Sequence, residues 1–195
     1  MNQMVFAGIT DRLADNLRSR NKDMGPEAKT RLVAEYTDPQ RYAQEIKGLF
    51  RELPVVVAHS SQLANPGDFI AHDRLGVPII VTRTQGGALA AHLNVCPHRN
   101  AVVETEECGN RSAFVCPYHN WTFGLDGVAK NIPDPASFDG VDKARLNLRP
   151  ITVAEKYGLV FVRLSPGGPI DLDTYLAPVA HDLEAFGVET HSFFS

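Results

Sequence analysis

Cys96-Pro97-His98-Arg99-Asn100 and Cys116-Pro117-Tyr118-His119-Asn120-Trp121 are the two stretches on which the reading of this chain turns. Each carries one thiol and one imidazole, in the order C-x-H and then C-x-x-H. Each Cys is followed at once by a proline, which fixes φ and removes a donor beside the sulfur. Two such clusters in one chain are not the mark of unrelated loop residues.

Two thiolates and two imidazoles in this order are the ligand set of a Rieske [2Fe–2S] centre, in which two His replace two Cys on one iron. Thiolate charge suits the iron that stays ferric, and neutral imidazole makes the other iron easier to reduce. Each loop supplies one donor of each kind, so a cluster here is clamped between two loop tips. The same four ligands also satisfy a tetrahedral Zn²⁺ ion, although zinc patterns usually keep Cys with Cys and His with His.

Outward from these loops the chain resembles the large (alpha) subunit of Rieske non-haem iron aromatic-ring-hydroxylating oxygenases. The resemblance begins near Tyr36-Thr37-Asp38-Pro39 and passes through Asn65-Pro66-Gly67-Asp68-Phe69 and Leu93-Asn94-Val95-Cys96. It runs on to Gly158-Leu159-Val160-Phe161-Val162 and covers roughly residues 36 to 180. It implies Cys96 and Cys116 on the buried iron and His98 and His119 on the outer one, bound through Nδ1. Arg99, Tyr118 and Trp121 are the residues expected to shield the cluster. The family usually has Gly where this chain has Asn100 and Asn120, and Asn tolerates positive φ better than most residues. Compared with the respiratory type, Ala101 and Tyr118 stand where that type has two bridged Cys, and Trp121 stands in place of a serine. Fewer hydrogen bonds to the cluster imply a potential at the low end of the Rieske range, about −150 to +300 mV.

Composition bounds the rest. A chain of 195 residues with 44% hydrophobic residues can bury one good core. The net charge of −4 gives no basic footprint, so nucleic acid and anionic membrane surfaces are poor partners. Of three Cys, Cys108 is left alone in Glu106-Glu107-Cys108-Gly109, read as a polar turn with a surface thiol. An odd set argues for a reducing compartment. No stretch approaches a membrane span, and no charged leader precedes an apolar core. The expectation is a cytoplasmic protein with no membrane partner.

Ile9, Leu13 and Leu17 fall at helical spacing behind Thr10 and Asp11 as caps, with Gly25-Pro26 ending the element. A second helix starts at Asp38 as cap with Pro39 in the first position, and Tyr42, Ile46, Leu49 and Phe50 share a face expected to pack on the domain edge. From residue 55 the period changes to short β-rich runs separated by turns, which predicts an antiparallel β-sandwich. Asp126-Gly127 reads as the clearest hairpin, by its type I′ preference. Asn131 to Asp142 reads as an irregular loop with no chemistry. The division expected is a helical extension over 1–50, a Rieske domain over 51–165, and a linker plus the start of a catalytic domain over 166–195. In that tail Leu172, Leu176, Val179, Leu183 and Phe186 form an apolar stripe broken at Pro178.

In the family the catalytic domain binds a mononuclear Fe(II) through two His and one carboxylate. His181, Asp182, Glu184, Glu189 and His191 do not match that motif, and His59, His72 and His92 sit in or beside strands. The resemblance therefore implies an electron-transfer portion that takes single electrons from a ferredoxin or flavin reductase. It passes them to a mononuclear iron in a catalytic domain or neighbouring subunit; a homo-oligomer is open. The alternative is a stand-alone Rieske-type ferredoxin, against which the N-terminal 50 residues and the apolar tail speak. The aromatic substrate is not encoded in these loops.

Overall fold

The computed structural model describes residues 3–22, 24–25 and 27–194. Ten strands follow one another: β1 Val55–His59, β2 Asp68–His72, β3 Ile79–Arg83, β4 Leu89–Leu93, β5 Cys108–Asn110, β6 Phe114–Val115, β7 Thr122–Phe123, β8 Ala129–Asn131, β9 Pro150–Lys156 and β10 Leu159–Arg163. Seven form one sheet in the order β1-β10-β9-β4-β3-β2-β5, and β6-β7-β8 form a second, small sheet. Every pairing between strands is antiparallel. The mainly β, antiparallel class expected from the alternating runs is the class observed.

The pleat explains how two cores share one sheet. Phe69 and Ala71 of β2 and Ile80 of β3 point to one face, where they meet Phe114, Trp121, Phe123, Leu125 and Leu148. Ile70 of β2 and Ile79 and Val81 of β3 point to the other, against Leu63, Val160 and Val162. A period of two sends alternate side chains to opposite faces, so a strand covered on both sides reads as a continuous apolar run. Each fully buried Phe, Ile or Val contributes roughly 1.5–3 kcal/mol. Cys96 and Cys116 belong to the first core, beside the aromatic side chains that join the small sheet to the large one.

The turns differ from the expected ones in an instructive way. Asp126-Gly127 does lie in a hairpin, between β7 and β8, but only Gly127 has positive φ (74°). A type I′ turn needs positive φ at both central residues. Here the Gly127 amide donates to the Gly124 carbonyl at 2.9 Å, and the β7–β8 register shifts, as in a wider loop closed by a glycine bulge. The pair with both φ values positive is Tyr157 (52°) and Gly158 (73°), between β9 and β10, with Lys156 opposite Leu159. The turn expected around Cys108 is also corrected: Cys108–Asn110 is an exposed edge strand on β2.

Helix α1 spans Gln3–Ser19, so Thr10 and Asp11 lie inside it rather than capping it. It ends ahead of Gly25, with Arg20 at φ 52°; Pro26 lies outside the described residues. After α2 (Ala34–Thr37), Asp38 does cap α3 (Pro39–Glu45), accepting from the Gln40 amide at 2.8 Å with Pro39 at the first turn. A wider π-helical turn, Ile46–Arg51, follows. The expected burial of its apolar face is corrected: Tyr42, Leu49 and Phe50 are exposed and only Ile46 is half-buried. The tail breaks at Pro178 as read, giving α4 (Leu172–Leu176) and α5 (Ala180–Phe186). Leu172 and Leu176 are buried against Phe161 of β10, so the first half of the stripe is covered by this domain itself. Val179 and Phe186 are exposed.

Candidate metal centre

Each Cys-Pro stretch folds as the same turn. The Cys96 amide donates to the Ala101 carbonyl at 2.8 Å, and the Asn100 amide donates to the Cys96 carbonyl at 2.9 Å. In the second turn Cys116 donates to Trp121 at 2.8 Å and Asn120 to Cys116 at 2.9 Å. Both turns close through an Asn at φ 59°, the left-handed region that Asn enters more readily than other non-glycine residues. The two Asn positions thus reproduce with a side chain what Gly does without one.

The turns hang from different supports. The second is the tip of the β6–β7 hairpin, where Val115 faces Thr122 and Phe114 faces Phe123. The first has only the isolated bridge Val95 to Val102. Asn94, buried at 3% exposure, takes over the rest. Its Oδ1 accepts from the Val103 amide at 3.2 Å and the Glu104 amide at 2.9 Å, and its Nδ2 donates to the Glu104 carbonyl at 2.7 Å. Sequence reading gave Asn94 no role, because a polar residue at the end of a strand signals nothing about what its amide holds.

The four donors arrive as two pairs. Cys96 and Cys116 are each 1% exposed, are free thiols, and belong to the same buried cluster. Burial pushes the Cys96 thiol above its ordinary range and the Cys116 thiol adds to this, while the His98 and Arg99 amides facing the sulfur pull the other way. The imidazoles of His98 and His119 stand 4.6 Å apart at 67°. The Nδ1 of His98 is buried and has no hydrogen-bond partner. Among the described residues, no group of three or more His, Cys, Asp or Glu side chains converges as a single-ion site would.

The surroundings of the two imidazoles are unequal. Trp121, 2% exposed, stacks on His98 with centroids 5.2 Å apart and planes within 3°. Phe138 meets His98 edge-on at 5.8 Å and Trp121 at 4.9 Å. The loop read as irregular, Asn131 to Asp142, therefore delivers an aromatic wall: it forms a short 3₁₀ turn at Pro135–Phe138, and a second such turn, Lys143–Leu146, follows it. On His119 the neighbour is Tyr118, 3.9 Å away and exposed, and Arg99 is exposed too. His181, Asp182, Glu184, Glu189 and His191 are all exposed and are not brought together. His59 is committed elsewhere, with Nδ1 accepting from the Ser61 amide at 3.2 Å and Nε2 donating to the Val188 carbonyl at 3.0 Å.

Among the described residues no helix is long and apolar enough to cross a membrane. The profile of the Rieske [2Fe-2S] domain matches residues 54–152. The oxygenase subunit of carnitine monooxygenase from Escherichia coli (strain K12) is 37% identical over 134 residues, 67% of this chain and 35% of that protein. The alpha subunit of chlorobenzene dioxygenase from Cupriavidus sp. (strain PS12) is 34% identical over 142 residues, 72% of this chain and 31% of the other. The chain thus spans about a third of the length of these curated relatives. Among solved structures, the quaternary ammonium Rieske monooxygenase CntA with gamma-butyrobetaine superposes with a TM-score of 0.72 at 31% identity, over 78% of this chain and 43% of that one. Naphthalene 1,2-dioxygenase from Rhodococcus sp. bound to indole gives 0.70 at 33%, over 76% and 34%. With the profile spanning both Cys-Pro turns and the β-framework shared with oxygenase subunits, the chain belongs to the Rieske [2Fe–2S] domain family, whose cofactor is a [2Fe–2S] cluster.

Proposed function

We propose that Cys96 and Cys116 bind one iron of the cluster and His98 and His119 the other, and that the domain serves as the electron-transfer part of an oxygenase. The observation that carries the ligand assignment is the buried Nδ1 of His98, which lacks any partner and belongs to a ring 4.6 Å from that of His119, on a turn that also holds the buried Cys96 thiol. A buried ring nitrogen left unpaired costs about 1–3 kcal/mol unless something absent from the protein atoms satisfies it. The donor set also fits: each iron of a Rieske cluster takes two protein atoms, and the donors stand as two pairs rather than one cage of four.

When bound, the cluster supplies a one-electron couple held at the loop tips. The chain's own residues set its conditions. The His98 and Arg99 amides facing the Cys96 sulfur stabilise negative charge there. Trp121 and Phe138 exclude water from His98, Tyr118 shields the more open side at His119, and the exposed Arg99 puts its charge near His98. The two proline-stiffened turns resist rearrangement when charge changes, which keeps electron transfer fast.

In this reading residues 1–50 are an extension, 51–165 the Rieske domain, and 166–195 lead into a catalytic domain, with α4 resting on β10. The electron donor is a ferredoxin or flavin reductase, the acceptor a mononuclear iron in a catalytic domain or neighbouring subunit, and the compartment the cytoplasm. An aromatic ring is the proposed substrate. A quaternary ammonium compound is the second reading, favoured by the 37% identity to the carnitine monooxygenase subunit.

The test is iron, zinc and acid-labile sulfide measured per chain on one purified sample. Two irons with two sulfides, and a visible spectrum lost in His98→Ala and Cys116→Ser, are expected. Zinc without sulfide, or colour retained in both variants, overturns the assignment.

A further inference from the structure

Arg51, Arg149 and Arg163 line one cleft of about 710 Å³, whose lining includes none of the four Cys and His donors. Its remaining walls are largely apolar, with Val77, Leu93 and Ile151 among them. Among the described residues no Asp or Glu lines it. In a chain whose net charge is −4, gathering three guanidinium groups without a counter-charge works against Coulomb repulsion.

Little within the domain engages the three groups. The side chains of Arg51 and Arg149 are exposed and make no hydrogen bond or ion pair among the described residues. Arg163 donates from Nη2 to the Gly168 carbonyl, but its Nε is buried with no acceptor. Buried donors are normally satisfied, so a guanidinium N–H left without an acceptor marks a place where one is missing. Guanidinium forks fit carboxylate and phosphate groups through paired, charge-assisted hydrogen bonds.

We propose that this cleft binds a small organic anion, its carboxylate or phosphate held by the arginines and its apolar body laid against Val77, Leu93 and Ile151. Cavity size and lining suit this class: small-molecule sites run from about 300 to 1,000 Å³, mostly apolar, with a few placed polar groups. The proposal is independent of the cluster assignment, since it uses none of the four donors.

The experiment is calorimetric titration of the full chain at low salt with phenyl phosphate, with benzoate and with neutral benzyl alcohol. Saturable binding of either anion and none of the alcohol is expected, weakened about tenfold in Arg51→Gln and in Arg149→Gln and by added salt. Both residues are exposed, so the variants fold, and an unchanged visible spectrum shows that the cluster reading is untouched. The proposal is overturned if neither anion binds, if the alcohol binds as well, or if both variants bind like the parent. Binding of polyglutamate where neither small anion binds also overturns it, because the face then recognises an acidic protein surface.

Discussion

The rings of His98 and Trp121 lie 5.2 Å apart and within 3° of parallel. The stack closes one side of an imidazole whose Nδ1 has no protein partner. Trp121→Ala removes that wall and a fully buried side chain, a change that costs about 3–5 kcal/mol. Its visible spectrum should bleach faster in air than the parent's, whereas Trp121→Phe, which keeps a ring, should stay close to the parent. Equal bleaching of all three proteins would reduce Trp121 to core filling.

Asn100 and Asn120 share φ 59°. An ordinary L-residue there pays roughly 1–2 kcal/mol, and glycine pays nothing sterically. Replacing either Asn by Gly should leave thermal stability and the visible spectrum near those of the parent. Replacing either by Val should lower stability and cluster content together. A Val variant as stable as the Gly variant would show that the turn adopts another conformation.

These two residues show how much the sequence carries. The Cys-Pro turns, the β period and the cap at Asp38 are local signals, and each is where the residues put it. The hairpin type was not legible because Asp-Gly favours two different closures, and long-range pairing chose the wider one. Tyr157 takes positive φ because the pairing of Lys156 with Leu159 leaves it and Gly158 alone to turn the chain from β9 into β10. Strand β5 carries no apolar alternation; it is held by backbone pairing to β2, which composition does not reveal. Phe138 reaches His98 across forty positions of sequence, so a loop rich in Pro and Asp hides the contact. A helical period finds the tail stripe but not what covers it, and Phe161 was the missing fact.

Asn94 holds three backbone groups of the segment that returns from the first Cys-Pro turn. Asn94→Ala leaves those groups buried and unpaired, at about 1–3 kcal/mol. Cluster loss under urea should therefore begin earlier than in the parent. Asn94→Asp keeps the acceptor for Val103 and Glu104 but sets a second carboxylate oxygen against the Glu104 carbonyl in a buried site, so at neutral pH it should lose its cluster at least as early as Asn94→Ala. If Asn94→Ala holds its cluster as long as the parent, the Val95–Val102 bridge alone suffices.

Gly127 leaves no room for a side chain: a Cβ there would sit 2.2 Å from His92 Nε2. Its φ of 74° adds strain for any L-residue. Gly127→Ala should thus be among the more destabilising single changes in the domain, by about 2 kcal/mol or more. Adding His92→Ala should recover part of the loss by opening the space. No recovery in the double variant would place the cost in the backbone rather than in the contact.

Arg83 grips Glu155 with both guanidinium ends, at 2.9 and 3.0 Å, across strands β3 and β9. The hydrogen bond from Arg83 is the first cause holding the Glu155 carboxyl below its ordinary value. A carboxylate whose folded pKa is depressed adds stability that is complete above its unfolded value, about 4.3, and is lost as pH falls through the lower folded value. Glu155→Gln should therefore lower the unfolding free energy at pH 7, by an amount on the order of 1 kcal/mol for a bidentate, partly covered pair, and the melting temperature with it. Below about pH 4 the gap between variant and parent should shrink, because the parent has itself lost the charge. Arg83 also donates to the Leu63 carbonyl at 2.7 Å, so Arg83→Gln should cost more than Glu155→Gln and keep part of its penalty in acid. A gap for Glu155→Gln that is constant from pH 7 to pH 3 would mean that packing across the two strands, not charge, is what the pair contributes.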